Sequence, residues 1–449
     1  MGRRQIARRC ALAACVVLCA LSLGRANAQE PRHYTDQDQR ILLKSYRHPQ
    51  FELTVKAAAA AGVQDFWEKY GVQIPDALNA ATYFRKLQNA PFVPISADET
   101  ASYDFCNDPL SLGPDWQAAQ RTLTQPGILQ LAHSAARCEK LSPKLPQGQD
   151  PLTIIYPELG GCRRSARLIT VESIVMARQG KTVAAVRNMS YVMHCADNAN
   201  DDVGMMGYLV ACACHQHAFD GLQDILSISH GAPAVCRAVS AVIRTDYHER
   251  HLSDVLRADC AQNIAQIRFW SRGGPQAFSD LSNGVVDQKA LGRPDLYKAI
   301  VDMNGARVIR DSLANIHAAD QPYPIAHRRL LELQNRFDNY NGIDVTFARV
   351  MLPEPSITIN VTTRIRAATA ITGAACAIFL YKSKHNAYPL TLADATSTAI
   401  DPFDGKLLGY RRTAKGFVVY SVGPTGKYDG GDFDKKKQHE EVFRYSING

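Results

Sequence analysis

The chain has 449 residues, with 51 Lys and Arg against 43 Asp and Glu and a formal charge of +8. Its length allows a large buried core and more than one domain. Five arginines and no acid fall within the first 28 residues; the remainder carries only +3, too close to neutrality for a nucleic-acid footprint.

Residues 1–28 run from a basic start (Arg3, Arg4, Arg8, Arg9) through an apolar stretch, Cys10 to Leu23, to the small-residue ending Ala26-Asn27-Ala28. This is the layout of a cleavable signal peptide, cut after Ala28. The apolar stretch is shorter than the roughly 20 residues that span a bilayer. Arg3-Arg4 leaves twin-arginine export open, while Cys19 is a poor lipidation site because the bulky Leu18 precedes it. The expected location is therefore periplasmic or secreted.

Three of the twelve cysteines leave with that segment, so nine remain, an odd number. An oxidising compartment permits disulfides among Cys106, Cys138, Cys162, Cys195, Cys212, Cys214, Cys236 and Cys260, but spacing gives no connectivity. Most are expected to be small buried apolar residues.

Residues 29–355 read as an all-α domain. Helices are expected at Phe51 to Ala61 and Asp76 to Leu87, followed by the breakers Pro91, Pro94, Pro109, Pro114 and Pro126. Leu168, Val171, Val175 and Ala177 recur at helical spacing up to Gly180, and Val183, Val186, Met189, Tyr191 and Val192 continue on a second helix. Gly180 and Ala185 suggest a tetratricopeptide-type hairpin, although one hairpin is not a solenoid. Further helices are expected at Val203 to Leu226, Ala232 to Thr245, Leu252 to Trp270, Ala299 to Ala318 and Ile325 to Asn339, with Gly273-Gly274-Pro275 ending the third.

Pro353-Glu354-Pro355 reads as a hinge into a second domain, 356–449. Ile365, Ala368, Ile371, Ala375, Ile378 and Phe379 form one apolar stripe, predicting a packing helix from Thr363 to Ser383. Its apolar stretch, Ala367 to Tyr381, is too short to span a bilayer and is flanked by Arg364, Arg366 and Lys382. Strands are expected at Leu408 to Thr413, Gly416 to Val422 and Val442 to Ile447, the first two joined by the short turn Ala414-Lys415. The fold class is thus mainly α, a multi-helix domain followed by an α+β domain in which a long helix packs on a small antiparallel sheet.

The order "FLYKSKHNAYPLTLADA", "DPFDGKLLGYRR", "GFVVYSVGPTGKYDGGDFD" resembles the soluble domain of the major pseudopilin of type II secretion systems, over about Asn360 to Gly449. More loosely, "DALNAATYFRKL" and "YPELGGCRRSARLITVESIVMARQGKTVAAVRNMSYVMHCAD" are similar to uncharacterised bacterial envelope proteins that append this domain to an α-helical region. The resemblance implies a calcium clamp in the loop after Val422. Asp429, Asp432 and Asp434 would supply carboxylates, with Ser421 or Thr425 and nearby carbonyls completing the shell, which suits a hard cation taking six to eight oxygens. Thr425 stands where the family has Asp, removing one charged ligand. A true pseudopilin also begins with its apolar helix behind a Gly-Phe-Thr-Leu-x-Glu-like start. Here that helix lies deep in the chain, so the fold carries over and the filament function does not.

Other motifs fail on geometry. In Cys212-Ala213-Cys214-His215-Gln216-His217 the pairs Cys212/His215 and Cys214/His217 lie on different helix faces. Gly180-Lys181-Thr182 lacks the earlier glycine of a phosphate loop, because Val175 stands there, and His248-Glu249-Arg250-His251 would need its second histidine at Leu252. Lys435-Lys436-Lys437 sits beside Asp432, Asp434, Glu440 and Glu441 and reads as a mixed-charge loop. No catalytic motif appears, so the expectation is a non-enzymatic envelope scaffold or protein-binding module for an unknown envelope protein, with no nucleic acid and no transmembrane helix after signal cleavage. The alternatives are an accessory component of a type II secretion or type IV pilus-like system, and a periplasmic hydrolase. A hydrolase would show a pocket lined by residues such as His194, Asp197, His215 or His248.

Overall fold

The structure, a computed structural model, describes residues 33–90, 123–143, 148, 150–151, 154, 156–200, 204–279, 292–427 and 441–446. The expected signal segment, Cys106, Pro91, Pro94, Pro109, Pro114, Lys435-Lys436-Lys437, and the expected calcium ligands Asp429, Asp432 and Asp434 lie outside the described residues.

Short helices come first, each begun by a side chain that satisfies otherwise unpaired backbone amides. α1 (Asp36–Tyr46) opens on a capping box of Thr35 and Asp38. α2 (Phe51–Ala60) is capped from far along the chain: the Asp302 carboxylate accepts from the amides of Gln50 (2.9 Å) and Phe51 (3.1 Å). α3 (Phe66–Tyr70) starts at Asp65, and α4 (Ala80–Asn89) at Asn79. Where the sequence suggested one helix from Asp76 to Leu87, there is a single 3₁₀ turn, Asp76–Leu78, and then α4. Asn79 breaks the helix by taking an extended conformation and accepting from the Ala81 amide.

Further helices follow: α5 (Ile128–Ala136), α6 (Pro157–Arg178), α7 (Thr182–Asn188), α8 (Ser190–Asn200), α9 (Gly204–Ile228) and α10 (Pro233–Asp246). The second helix expected after Gly180 is therefore two, parted at Met189. α11 (Leu252–Ser279) kinks where the sequence suggested an end and continues past it. Gly274 has φ +68° ahead of Pro275, and the Tyr297 hydroxyl donates to the carbonyls of Trp270 and Gly274 across the bend. α12 (Pro294–Ala319), α13 (Tyr323–Asp338) and α14 (Thr346–Met351) complete the region.

α15 (Pro355–His385) differs most from its prediction. Pro355, the last residue of the Pro353-Glu354-Pro355 segment, occupies the first turn of this helix, where its missing amide costs nothing. The helix is consequently long and apolar enough to cross a membrane by length and composition, yet 61% of its most apolar window is buried inside the protein. Most of that cover comes from α9, α10 and α13, with the sheet packed only near the C-terminal end. Thr362, Thr363, Thr369 and Thr372 donate to carbonyls four residues back, so their hydroxyls are satisfied within the helix itself.

Asn386, with φ +55°, ends α15, and α16 (Leu392–Ala395) leads to three strands. β1 (Gly409–Thr413), β2 (Gly416–Tyr420) and β3 (Val442–Ser446) form an antiparallel sheet in that order, with Thr413 opposite Gly416 across the two-residue turn. The chain is thus mostly helical, with a small three-stranded antiparallel sheet near the C-terminus. Phe417 and Tyr445 meet the ring of Phe379 at 5.1 and 4.8 Å, joining sheet and helices in one hydrophobic core.

Candidate functional site

α9 carries its chemistry on two faces, as helical spacing requires. Cys212 and His215 point towards α15 and the segment after α10, whereas Cys214 and His217 turn towards α6, meeting Cys162 and Arg167. Among the described residues, no three His, Cys, Asp or Glu side chains converge as a metal site.

The first face lines a chamber with Asn200, Tyr208, Tyr247, Glu249, Arg250 and Thr362. Its volume is about 10 Å³, room for one water molecule. The Tyr208 hydroxyl bonds to that of Thr362 at 2.7 Å, and Arg250 donates to the Asn200 carbonyl. Glu249 pairs with Arg366 on α15. The His215 ring meets Tyr247 edge-on at 4.9 Å.

Burial, reinforced by the nearby charge of His248, pushes His215 down to about 3, so its ring is neutral across the physiological range. Its Nε2 and the Asn200 Oδ1 are both buried without a protein partner. Burial likewise raises Tyr208 and Tyr247 well above the usual phenol range. The chamber can therefore fix a small polar molecule between a neutral imidazole and an amide oxygen. It has no room for a substrate.

Of the histidines and acids proposed for a hydrolase, only His215 lines this chamber. His248 instead pairs with Asp197 nearer the surface, Nδ1 to Oδ2 at 3.0 Å, and the His194 ring lies 6.2 Å from that of Tyr191. Burial raises Asp197 and outweighs its bond to His248. Sequence spacing marked Cys212 and His215 as neighbours. It held no signal for Tyr208, Asn200 or Thr362, which only tertiary packing brings to them.

In the C-terminal unit, Ser421 and Thr425 have definite partners. Ser421 is buried, donates to Asp401 Oδ1 at 2.9 Å and accepts from the Gly423 amide at 3.1 Å. Thr425 is exposed and donates to the Val422 carbonyl at 3.4 Å. Asp401 is the organiser of this corner, and sequence reasoning passed over it as part of a motif. Its carboxylate also accepts from the amides of Phe403 (3.0 Å) and Val422 (2.7 Å), tying the 401–405 turn to the end of β2.

Next to this clasp lie exposed apolar side chains. Ile400 faces Leu407 in an antiparallel bridge flanked by the bonds Leu408 N to Ala399 O and Asp401 N to Lys406 O, an arrangement that brings paired side chains close. Both are over 40% exposed, and Leu390, at 77%, is the most exposed large apolar residue among those described. The Tyr410 hydroxyl, donating to the Pro389 carbonyl at 2.8 Å, holds the Leu390 loop against β1. Comparison with protein-family models, curated proteins and solved structures found no match.

Proposed function

We propose that the chain is an exported, non-enzymatic envelope scaffold whose C-terminal unit docks to another envelope protein. The observation that carries this reading is the exposed, bridged pair Ile400 and Leu407 beside the Asp401 clasp, together with exposed Leu390 on the loop that Tyr410 tethers. Exposed aliphatic side chains on turns held by hydrogen bonds lose little entropy on association, so they suit a partner. The Arg-rich, Ala-terminated start supports export. Ala185, fully buried behind the Gly180 turn, supports the tetratricopeptide-type reading of that hairpin.

The test is binding of the full-length protein to purified pseudopilus and pilus subunits and, by cross-linking, to envelope proteins in cells. A Leu390→Asp, Leu407→Asp double variant that melts like the parent should lose its cross-linked partners. An unchanged partner set would overturn the docking surface, and absence of pseudopilin binding at every salt concentration would remove the secretion-system alternative.

A further inference from the structure

We infer that Cys162 and Cys214 form a disulfide linking α6 to α9 when the chain folds in an oxidising compartment. The two sulfurs stand 3.9 Å apart, and both residues are fully buried. A disulfide needs about 2.05 Å, a gap that side-chain rotation can close between helices already in contact.

The neighbouring cysteine is the obvious rival, and the geometry disfavours it. Cys162 Sγ meets the carbonyl of Cys195 at 3.0 Å, while the Cys195 thiol itself is turned to Ser165 Oγ at 3.4 Å. Cys212, on the other face of α9, lines the His215 chamber. The Cys195 side chain also touches the Cys162 thiol, so the choice of Cys214 rests on its 3.9 Å sulfur contact and on the hydrogen bond that directs the Cys195 thiol to Ser165.

Burial raises the Cys162 thiol far above the thiol range, so the finished fold protects this pair from reaction. The bond therefore forms most readily before α6 and α9 close. The oxidant is a donor disulfide, such as a thiol–disulfide oxidase or glutathione disulfide. The Cys162 thiolate attacks one donor sulfur and expels the other as a thiol; the Cys214 thiolate then attacks the Cys162 sulfur of the mixed disulfide and expels the second. Two protein S–H bonds are replaced by one S–S bond, and the donor takes up two electrons and two protons as two thiols. Export matters here only as the place where such a donor is met; the docking surface plays no part.

The test uses the full chain, reduced and denatured, then refolded in a glutathione redox buffer, alkylated and digested without reductant. The expected product is a peptide carrying residue 162 joined to the peptide carrying residue 214, with fragmentation placing the bond at Cys214. Cys195→Ala should keep the link and Cys214→Ala should abolish it, and reductant should lower the melting temperature of the oxidised parent by several degrees. Complete alkylation of Cys162, or a bond from it to Cys195, Cys212 or Cys236, would overturn the proposal without bearing on partner binding.

Discussion

Gly231 and Phe379 touch so closely that a Cβ on Gly231 would stand 2.1 Å from the Phe379 ring. Gly231 turns the chain between α9 and α10 with φ +65°, a conformation that side chains disfavour, so this glycine is required twice over. The same ring packs against Phe417 and Tyr445 of the sheet, and next door His230 Nδ1 bonds to the Tyr445 hydroxyl at 2.9 Å. Gly231→Ala should cost about 2–4 kcal/mol through clash and backbone strain. Phe379→Ala should cost about 3–5 kcal/mol. Denaturant unfolding followed by helix and aromatic signals checks both. If Phe379 couples the sheet to the helices, the parent's signals coincide and those of the alanine variant separate.

His215 and Asp259 predict opposite pH dependences. His215 falls to about 3 in the fold from an ordinary 6.5, so the unfolded chain binds the extra proton and stability is lost as pH drops from about 6.5 towards 3. Asp259 Oδ1 accepts from the Met205 amide at the start of α9, and burial raises its carboxyl to about 7. The folded form then holds the extra proton, and stability is lost as pH rises from about 4 through 7. The two slopes, each up to about 1.4 kcal/mol per pH unit, offset one another in the parent. His215→Leu, which also removes an unpartnered imidazole, should be within about 1 kcal/mol of the parent at pH 8. By pH 5 it should have gained about 2 kcal/mol on it. Asp259→Asn keeps the acceptor and should gain on the parent as pH rises from about 4 to 7. Parallel stability profiles for either variant and the parent would show that its group does not titrate in this way.

The Asp401 clasp sets up a graded series. Its carboxylate accepts from Phe403, Val422 and Ser421, so Asp401→Ala leaves three donors unpaired and should cost about 2–4 kcal/mol. Asp401→Asn keeps one oxygen for Phe403 and Ser421 but sets an amide donor against the Val422 N–H, and should lose less. Equal losses in urea titrations would mean that the hydrogen bonds are not what holds this corner.

These contacts show how far the sequence could be read. Periodicity placed the long helices because an apolar stripe is a local property: α9, α10 and α13 lie close to where spacing puts them, and the Gly-Pro signal marks the α11 kink although it suggested an end there. The Ala414-Lys415 turn and three strands were likewise local signals. The cover on α15 was not, because its Ile, Ala and Thr pattern suits a sheet or a helix as neighbour, and only the fold chooses α9, α10 and α13 for most of it. The His215 chamber shows the same limit. Helical spacing paired Cys212 with His215, but Tyr208 and Thr362 meet at 2.7 Å from helices 154 residues apart in the chain.

The pseudopilin resemblance implies calcium in the loop after β2, and that implication can be tested. Ser421 already gives its proton to Asp401, so any metal there would depend chiefly on the carboxylates of Asp429, Asp432 and Asp434, with the carbonyls that follow β2. With no Asp at position 425 the site should be weak, filling only at the high concentrations of an extracytoplasmic setting. A ligand that binds the folded form alone stabilises it by about 2.7 kcal/mol at a hundredfold excess over its dissociation constant. If the loop binds calcium, millimolar calcium raises the melting temperature relative to a chelator by a few degrees, and magnesium, which demands stricter octahedral geometry, by less. Asp432→Asn should remove the calcium effect while leaving the chelator-treated melt in place. Identical melts for the parent with calcium and with chelator would leave the loop an ordinary turn.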